Sequence, residues 1–180
     1  MPDIAWLPLL GWATVIALAC AVVIVVGLLA ASDALLSDYP PELQERYREL
    51  HGEQSRRGRI VDAVLGTLMA VLALGLGVLA LADLAPGTGR TGDFITGVLL
   101  GLGAGVLLVV IDTVVIDWGI FCRLQPGFVV LPGTEGDPAY ADYWFQVRVM
   151  WPGITVLLAA IGVGYGLLAL AVTELGKAIG

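Results

Sequence analysis

Three aspartates sit where the sequence makes a charge expensive. Asp62 opens one long apolar run, and Asp112 and Asp117 fall in the second half of another, Phe94 to Trp118, FITGVLLGLGAGVLLVVIDTVVIDW. A carboxylate at membrane depth is costly, and those that persist there commonly bind cations or relay protons. The competing expectation is structural: Asp62, Asp112 and Asp117 pair with Arg59, Arg123 and Arg148 and anchor helix ends at the headgroup level. Glu135, Tyr140 and Tyr143 are candidates to fold back over the same group. Depth favours anchoring. Asp112 comes 18 residues after Phe94, about 27 Å at ~1.5 Å per residue, near the far edge of a span and not at the midplane where transporters usually bind. Asp112 and Asp117 also stand five apart, about 140° around an α-helix, so both do not face one partner squarely.

Other chemistry has less support. The one histidine, His51, lies in a polar segment, so neither a Ser-His nor a Cys-His arrangement is readable, and with only Cys20 and Cys122 beside it a common zinc site is not expected. His51 with Met1, Met69 and Met150 makes a poor haem ligand set. Neither a phosphate-cradling glycine loop nor a cofactor is indicated. A metal-dependent membrane enzyme using Asp62, Asp112, Asp117 and Glu135 with a hard cation is a third, weaker reading. With nine Lys and Arg against sixteen Asp and Glu, nucleic acid is not an expected partner. Cys20 lies in an apolar run, so no disulfide framework is indicated.

The elements that must position the aspartates are membrane spans. Of 180 residues, 58% are hydrophobic and only 14% charged, too few charges to cover a soluble domain, which carries roughly 25%. The apolar residues come in blocks long enough for about 20-residue crossings. These predict four spans at about 6–31, 60–85, 94–118 and 152–173, in one membrane domain, 1–180. The expected fold is all-α, a four-transmembrane-helix antiparallel bundle with short interfacial helices. The first span follows a start that carries Asp3 and no basic residue, and its run is longer than a signal peptide's apolar core, so it reads as retained.

Small residues predict how the spans meet. Gly97, Gly101 and Gly105 recur every four residues, and Gly162, Gly164 and Gly166 form a second stripe. Such faces let helix backbones approach closely, so Gly97, Gly101, Gly105, Gly162 and Gly166 read as packing positions, within the chain or between protomers. Tyr165 is the one bulky polar side chain near mid-span and needs a hydrogen-bond partner there.

Two polar segments separate the spans. In 32–59, Pro41 opens a short helix, ELQERYREL, with Leu43, Tyr47 and Leu50 on one face and a possible Glu42–Arg46 pair. It reads equally as a surface-lying amphipathic helix or a solvated connector. In 119–151, turns at Pro126-Gly127 and Pro132-Gly133 flank a strand-like FVVL, Asp137 caps a helix start, and an aromatic interfacial helix over Ala139–Trp151 feeds the last span. A tight turn, Pro86 to Asp93, joins spans two and three, with Thr91 or Asp93 as the cap of the third. The two long loops hold seven arginines, and the opposite side holds Arg90 and Lys177, so both loops are expected in the cytoplasm and both termini outside, in the cell membrane.

The stretch Asp117–Tyr143 resembles a pattern of uncharacterised prokaryotic four-span membrane proteins: D-W at 117–118, Cys122, P-x-F-V-V-L-P-G-T-E-G from Pro126 to Gly136, and Y-x-D-Y at 140–143. The resemblance covers under a third of the chain. It implies a multispan membrane fold and a cytoplasmic-side loop of defined shape, and transfers no residue roles. The first functional expectation is a membrane scaffold or accessory subunit, acting through helix packing and the 119–150 loop on a membrane-protein partner or a second copy within the bilayer. The alternative is a proton- or cation-coupled transport element using Asp112 with Asp62.

Overall fold

The computed structural model describes residues 4–84 and 89–179, with the backbone alone at Pro152. The acidic start and the Pro86 end of the interspan turn lie outside the described residues. All regular structure among those residues is helical, and four helices are long and apolar enough to cross a membrane.

Helix α1 runs Trp6–Ala30, α2 Pro41–His51, α3 Arg56–Leu84, α4 Arg90–Ile111 and α5 Phe145–Ile179. Local sequence explains their limits. Pro41 opens α2, where a missing N–H costs nothing, and Gly52 ends it at φ 81°, a conformation that favours glycine. Ser55 caps α3, its hydroxyl accepting from Gly58 N at 2.9 Å. Helix α4 starts at Arg90, ahead of both expected caps, and Asp93 instead sits buried in its first turn. The last span and the aromatic segment before it form one continuous helix from Phe145, without a separate interfacial helix. Pro138–Ala141 is a short 3-10 turn, with Asp137 Oδ1 accepting from Ala139 N at 2.9 Å. FVVL is turn and bend in place of a strand.

The chain divides into two compact units, residues 1–20, 70–109 and 153–180 in the first and 21–69 and 110–152 in the second. In the first, Ala13 and Ile16 of α1, Ala80 and Leu81 of α3, Leu100 and Ala104 of α4, and Tyr165 and Ala169 of α5 make one core. Glycines permit its density. A Cβ added at Gly97 would lie 2.3 Å from the Tyr165 carbonyl oxygen, one at Gly101 2.9 Å from Tyr165 Cβ, and one at Gly105 2.7 Å from Leu158 Cδ2. On α5, Cβ atoms at Gly162 and Gly166 would meet Leu102 and Phe94. Tyr165 donates its hydroxyl to the Ala73 carbonyl at 2.6 Å, supplying the partner that position needs. Trp12 donates Nε1 to Asp83 at 2.9 Å.

The second unit is built where the two polar segments meet. Leu36, Tyr39, Leu43 and Tyr47 pack with Leu131 and Tyr140. Two of the three apolar residues predicted for one face of α2, Leu43 and Tyr47, are thus consumed inside the chain, while Leu50 stays 57% exposed. Asp33 ties the segment to the start of α3: its Oδ2 accepts from Ser55 N at 2.7 Å and from the Tyr47 hydroxyl at 3.0 Å. Burial raises the Asp33 carboxyl, but the Ser55 and Tyr47 hydrogen bonds outweigh it and hold it below its ordinary value.

Candidate functional site

The site begins with a change of helical pitch. Seven of the eight residues Val109–Ile116 are β-branched, which weakens the preference for a regular α-helix. From Asp112 to Leu124 the chain continues from α4 as a π-helix, and Gln125 N closes it on the Ile120 carbonyl, five residues back, at 2.9 Å. Gln125 ends the turn in a left-handed conformation, φ 43°, just before Pro126. The wider turn revises the 140° separation expected for Asp112 and Asp117. Residues five apart fall on the same side of a π-helix, and both aspartates line one cavity.

That cavity, about 350 Å³, lies wholly within the second unit. Its walls are mainly apolar, from α1, α3 and α5, with the rings of Tyr39, Phe121 and Phe145. Asp38, Asp112 and Asp117 supply its carboxyl groups, and Ser37 and Gln146 its other polar groups. Asp117 Oδ2 is buried and accepts no hydrogen bond. Tyr39 is fixed from both sides, its hydroxyl 3.0 Å from the carbonyls of Ser32 and Val129 and its ring edge-on to Phe121 at 5.0 Å. Burial pushes the Tyr39 hydroxyl far above its ordinary range, so it stays neutral. Gln146 Nε2 donates to the Asp38 carbonyl at 2.7 Å, joining α5 to the same rim. Asp38 keeps an exposed edge, yet burial raises its carboxyl; a Ser37 hydrogen bond offsets this in part and the Asp62 charge adds to it.

In comparisons with known proteins, no family model, no curated protein and no solved structure matches this chain.

The expected gathering of carboxylates with arginines is only half formed. Asp112 and Asp117 share the cavity, whereas Asp62 is outside its lining and acts on Asp38 through charge. Among the described residues no ion pair joins these aspartates to Arg59, Arg123 or Arg148. Arg59 reaches Glu53 at 3.8 Å, Arg148 pairs with Asp142, and Arg123 is exposed. Arg46, expected to pair with Glu42, instead meets Asp137 at 3.1 Å. Nor do Glu135, Tyr140 and Tyr143 cover the cavity. Glu135 accepts from Gly133 N at 3.1 Å in an exposed turn, and its own amide and that of Gly133 hold its carboxyl low. Tyr140 is buried in the loop core, its hydroxyl taking Leu131 N at 2.8 Å and sharing a 2.7 Å bond with Thr134. Tyr143 stacks edge-on to Trp118 and accepts its Nε1 at the carbonyl, 2.7 Å away.

Sequence reasoning missed Asp38, Tyr39 and Gln146. Their contribution depends on contacts between segments about a hundred residues apart, for which no local periodicity gives a signal.

Proposed function

We propose that this is a multi-pass membrane protein that takes up a positively charged ligand in its carboxylate cavity, as an element of cation- or proton-coupled transport. The membrane reading is supported by the four long apolar helices and by how little of them the chain itself covers: only 22% of the apolar window of α3 is buried. Such faces are stable against lipid and not against water. We place both arginine-bearing loops, 32–59 and 119–151, in the cytoplasm and the segments flanking the first and last spans outside, in an antiparallel bundle in the cell membrane.

The observation that carries the functional reading is the cavity itself, which among the described residues presents three aspartates and no arginine. An ionised carboxylate in an apolar wall is costly unless a cation or a proton meets it. The helix that carries Asp112 and Asp117 extends 35 residues, from Arg90 to Leu124, longer than the about 20 that a bilayer needs. Asp112 therefore falls near the cytoplasmic boundary, where a ligand enters from water or from the headgroup layer. The test is ion-driven internal pH change in dye-loaded proteoliposomes, with inorganic and organic cations added outside. Wild type is expected to respond, and Asp112→Asn and Asp117→Asn to respond less. Silence from wild type toward every cation, or unchanged variants, refutes transport.

The accessory-subunit reading has one observation of its own. Among the described residues no other element comes within 4 Å of a Cβ placed at Gly66 or Gly75 of α3 or Gly164 of α5, leaving room for a foreign helix or a second copy. Stoichiometric recovery of a companion from native membranes, joined to silent liposomes, would favour it. Orientation is checked by labelling Thr88→Cys and Glu135→Cys from outside intact cells, in a background lacking Cys20 and Cys122. Position 88 is expected to react and 135 to be protected.

A further inference from the structure

The chemistry of the cavity walls narrows the ligand. We infer that the cavity binds an organic ammonium ion carrying an apolar or aromatic body, and not a bare metal ion; this rests on the reading of the cavity as a cation site. Size is the first argument. About 350 Å³ is the scale of a small-molecule site, and more than ten times the roughly 30 Å³ share of one water. Ligation is the second. A hard metal ion requires several oxygens converging within about 2.0–2.6 Å. Among the described residues no group of three or more His, Cys, Asp or Glu is arranged to hold one. The walls are the third argument. Ile24, Leu28, Met69, Val149 and Met150 offer a hydrocarbon body an apolar surface. Phe121 and Phe145 add aromatic rings to the lining, and an aromatic ring can attract an ammonium group through its face.

Charge then fixes the sign and the orientation. Among the described residues no Lys, Arg or His lines the cavity, so an anion finds no counter-charge from them. Asp117 Oδ2 is buried and has no donor. An ammonium N–H supplies that donor and a charge-assisted hydrogen bond together. The ammonium end therefore faces Asp117 and Asp112, and the body lies along the α1, α3 and α5 walls.

Benzylammonium is the probe, with benzyl alcohol as its neutral counterpart and Na⁺, K⁺ and Ca²⁺ as bare ions. Binding is read by calorimetry on the detergent-purified full chain. Benzylammonium is expected to bind at least about tenfold more tightly than benzyl alcohol, with the metal ions not competing. Asp117→Asn is expected to lose at least about tenfold, and Asp117→Glu to retain most of the affinity. Each variant is first shown to keep wild-type helicity and a monodisperse elution profile; Asp112→Asn serves as the charge-removing variant if Asp117→Asn fails that check. Equal binding of alcohol and ammonium overturns the inference, because charge then contributes nothing. Binding of a metal ion alone, lost in the aspartate variant, overturns the inference and leaves the cation-site reading standing. Binding of no cation overturns both.

Discussion

Replacing single glycines of α4 by alanine tests how the first unit is held together, because the three positions carry different obstacles. At Gly97 the new Cβ would sit 2.3 Å from the Tyr165 carbonyl oxygen and 2.9 Å from Ala169 Cβ. A relaxed C···O contact is about 3.3–3.6 Å, so α4 and α5 must separate locally by about 1 Å. A gap of that size forfeits a quarter to a half of the dispersion energy of the atoms that line it. Backbone cannot swing aside, so the cost belongs in the upper part of the range for overpacking, about 2–3 kcal/mol. At Gly105 the obstacle is Leu158 Cδ2 at 2.7 Å, the end of a flexible side chain, and the cost falls to about 1 kcal/mol. At Gly103 the nearest atom is Ala13 Cβ at 3.4 Å, an ordinary contact. There the better helix propensity of alanine, worth up to about 1 kcal/mol, makes the change neutral or stabilising. Reversible unfolding in mixed micelles titrated with dodecyl sulfate reads the three differences. The expected order of damage is Gly97, Gly105, Gly103. Gly103→Ala proving as harmful as Gly97→Ala would refute the packing argument, since propensity and hydrophobicity change identically in all three.

Two further substitutions address hydrogen bonds. Asp33→Asn is expected to cost about 1–3 kcal/mol at neutral pH by weakening a buried acceptor of two donors. The Asp33 carboxyl is held below its ordinary value in the fold, so its contribution is fully present above about pH 3.9 and is lost as pH falls through the lower folded value. The gap between wild type and Asp33→Asn should therefore narrow in acid, and a gap that widens there sinks this assignment. Tyr165→Phe removes the 2.6 Å bond to the Ala73 carbonyl while keeping the ring. Hydrogen bonds between membrane helices average about 0.6 kcal/mol, so a loss of about that size, below about 2 kcal/mol, is expected in the same micelle titration.

What could be read from the sequence is what local pattern dictates. Twenty-residue apolar runs, Pro41, Gly52 and the four-residue glycine spacing each express a constraint confined to one helix turn or one span. The glycine faces of α4 and α5 follow from such spacing. The second unit does not. Tyr39, Tyr47 and Tyr140 look like interfacial aromatics in isolation, yet each hydroxyl is taken up by a partner elsewhere in the second unit. The π-helix was equally hidden. The β-branched run from Val109 weakens the α-helix without naming its replacement, and the 140° separation computed for Asp112 and Asp117 presumed the commoner pitch.

Among the described residues no arginine lines the cavity, and several arginines of the two polar segments have partners elsewhere. The segment 32–59 holds five arginines and the segment 119–151 two. Four of these arginines have partners outside the cavity: Arg46 in Asp137, Arg48 in Gln44, Arg59 in Glu53 and the Gln54 carbonyl, and Arg148 in Asp142. Single exposed pairs of this kind contribute little to stability, typically under about 1 kcal/mol. What they do show is that each of these guanidinium groups has a partner that is not among the residues lining the cavity. Releasing Arg148 by Asp142→Asn would free a guanidinium on the helix that also carries Gln146, Val149 and Met150 of the cavity wall. If that guanidinium then occupies the cavity, benzylammonium binding should fall although no lining residue has changed.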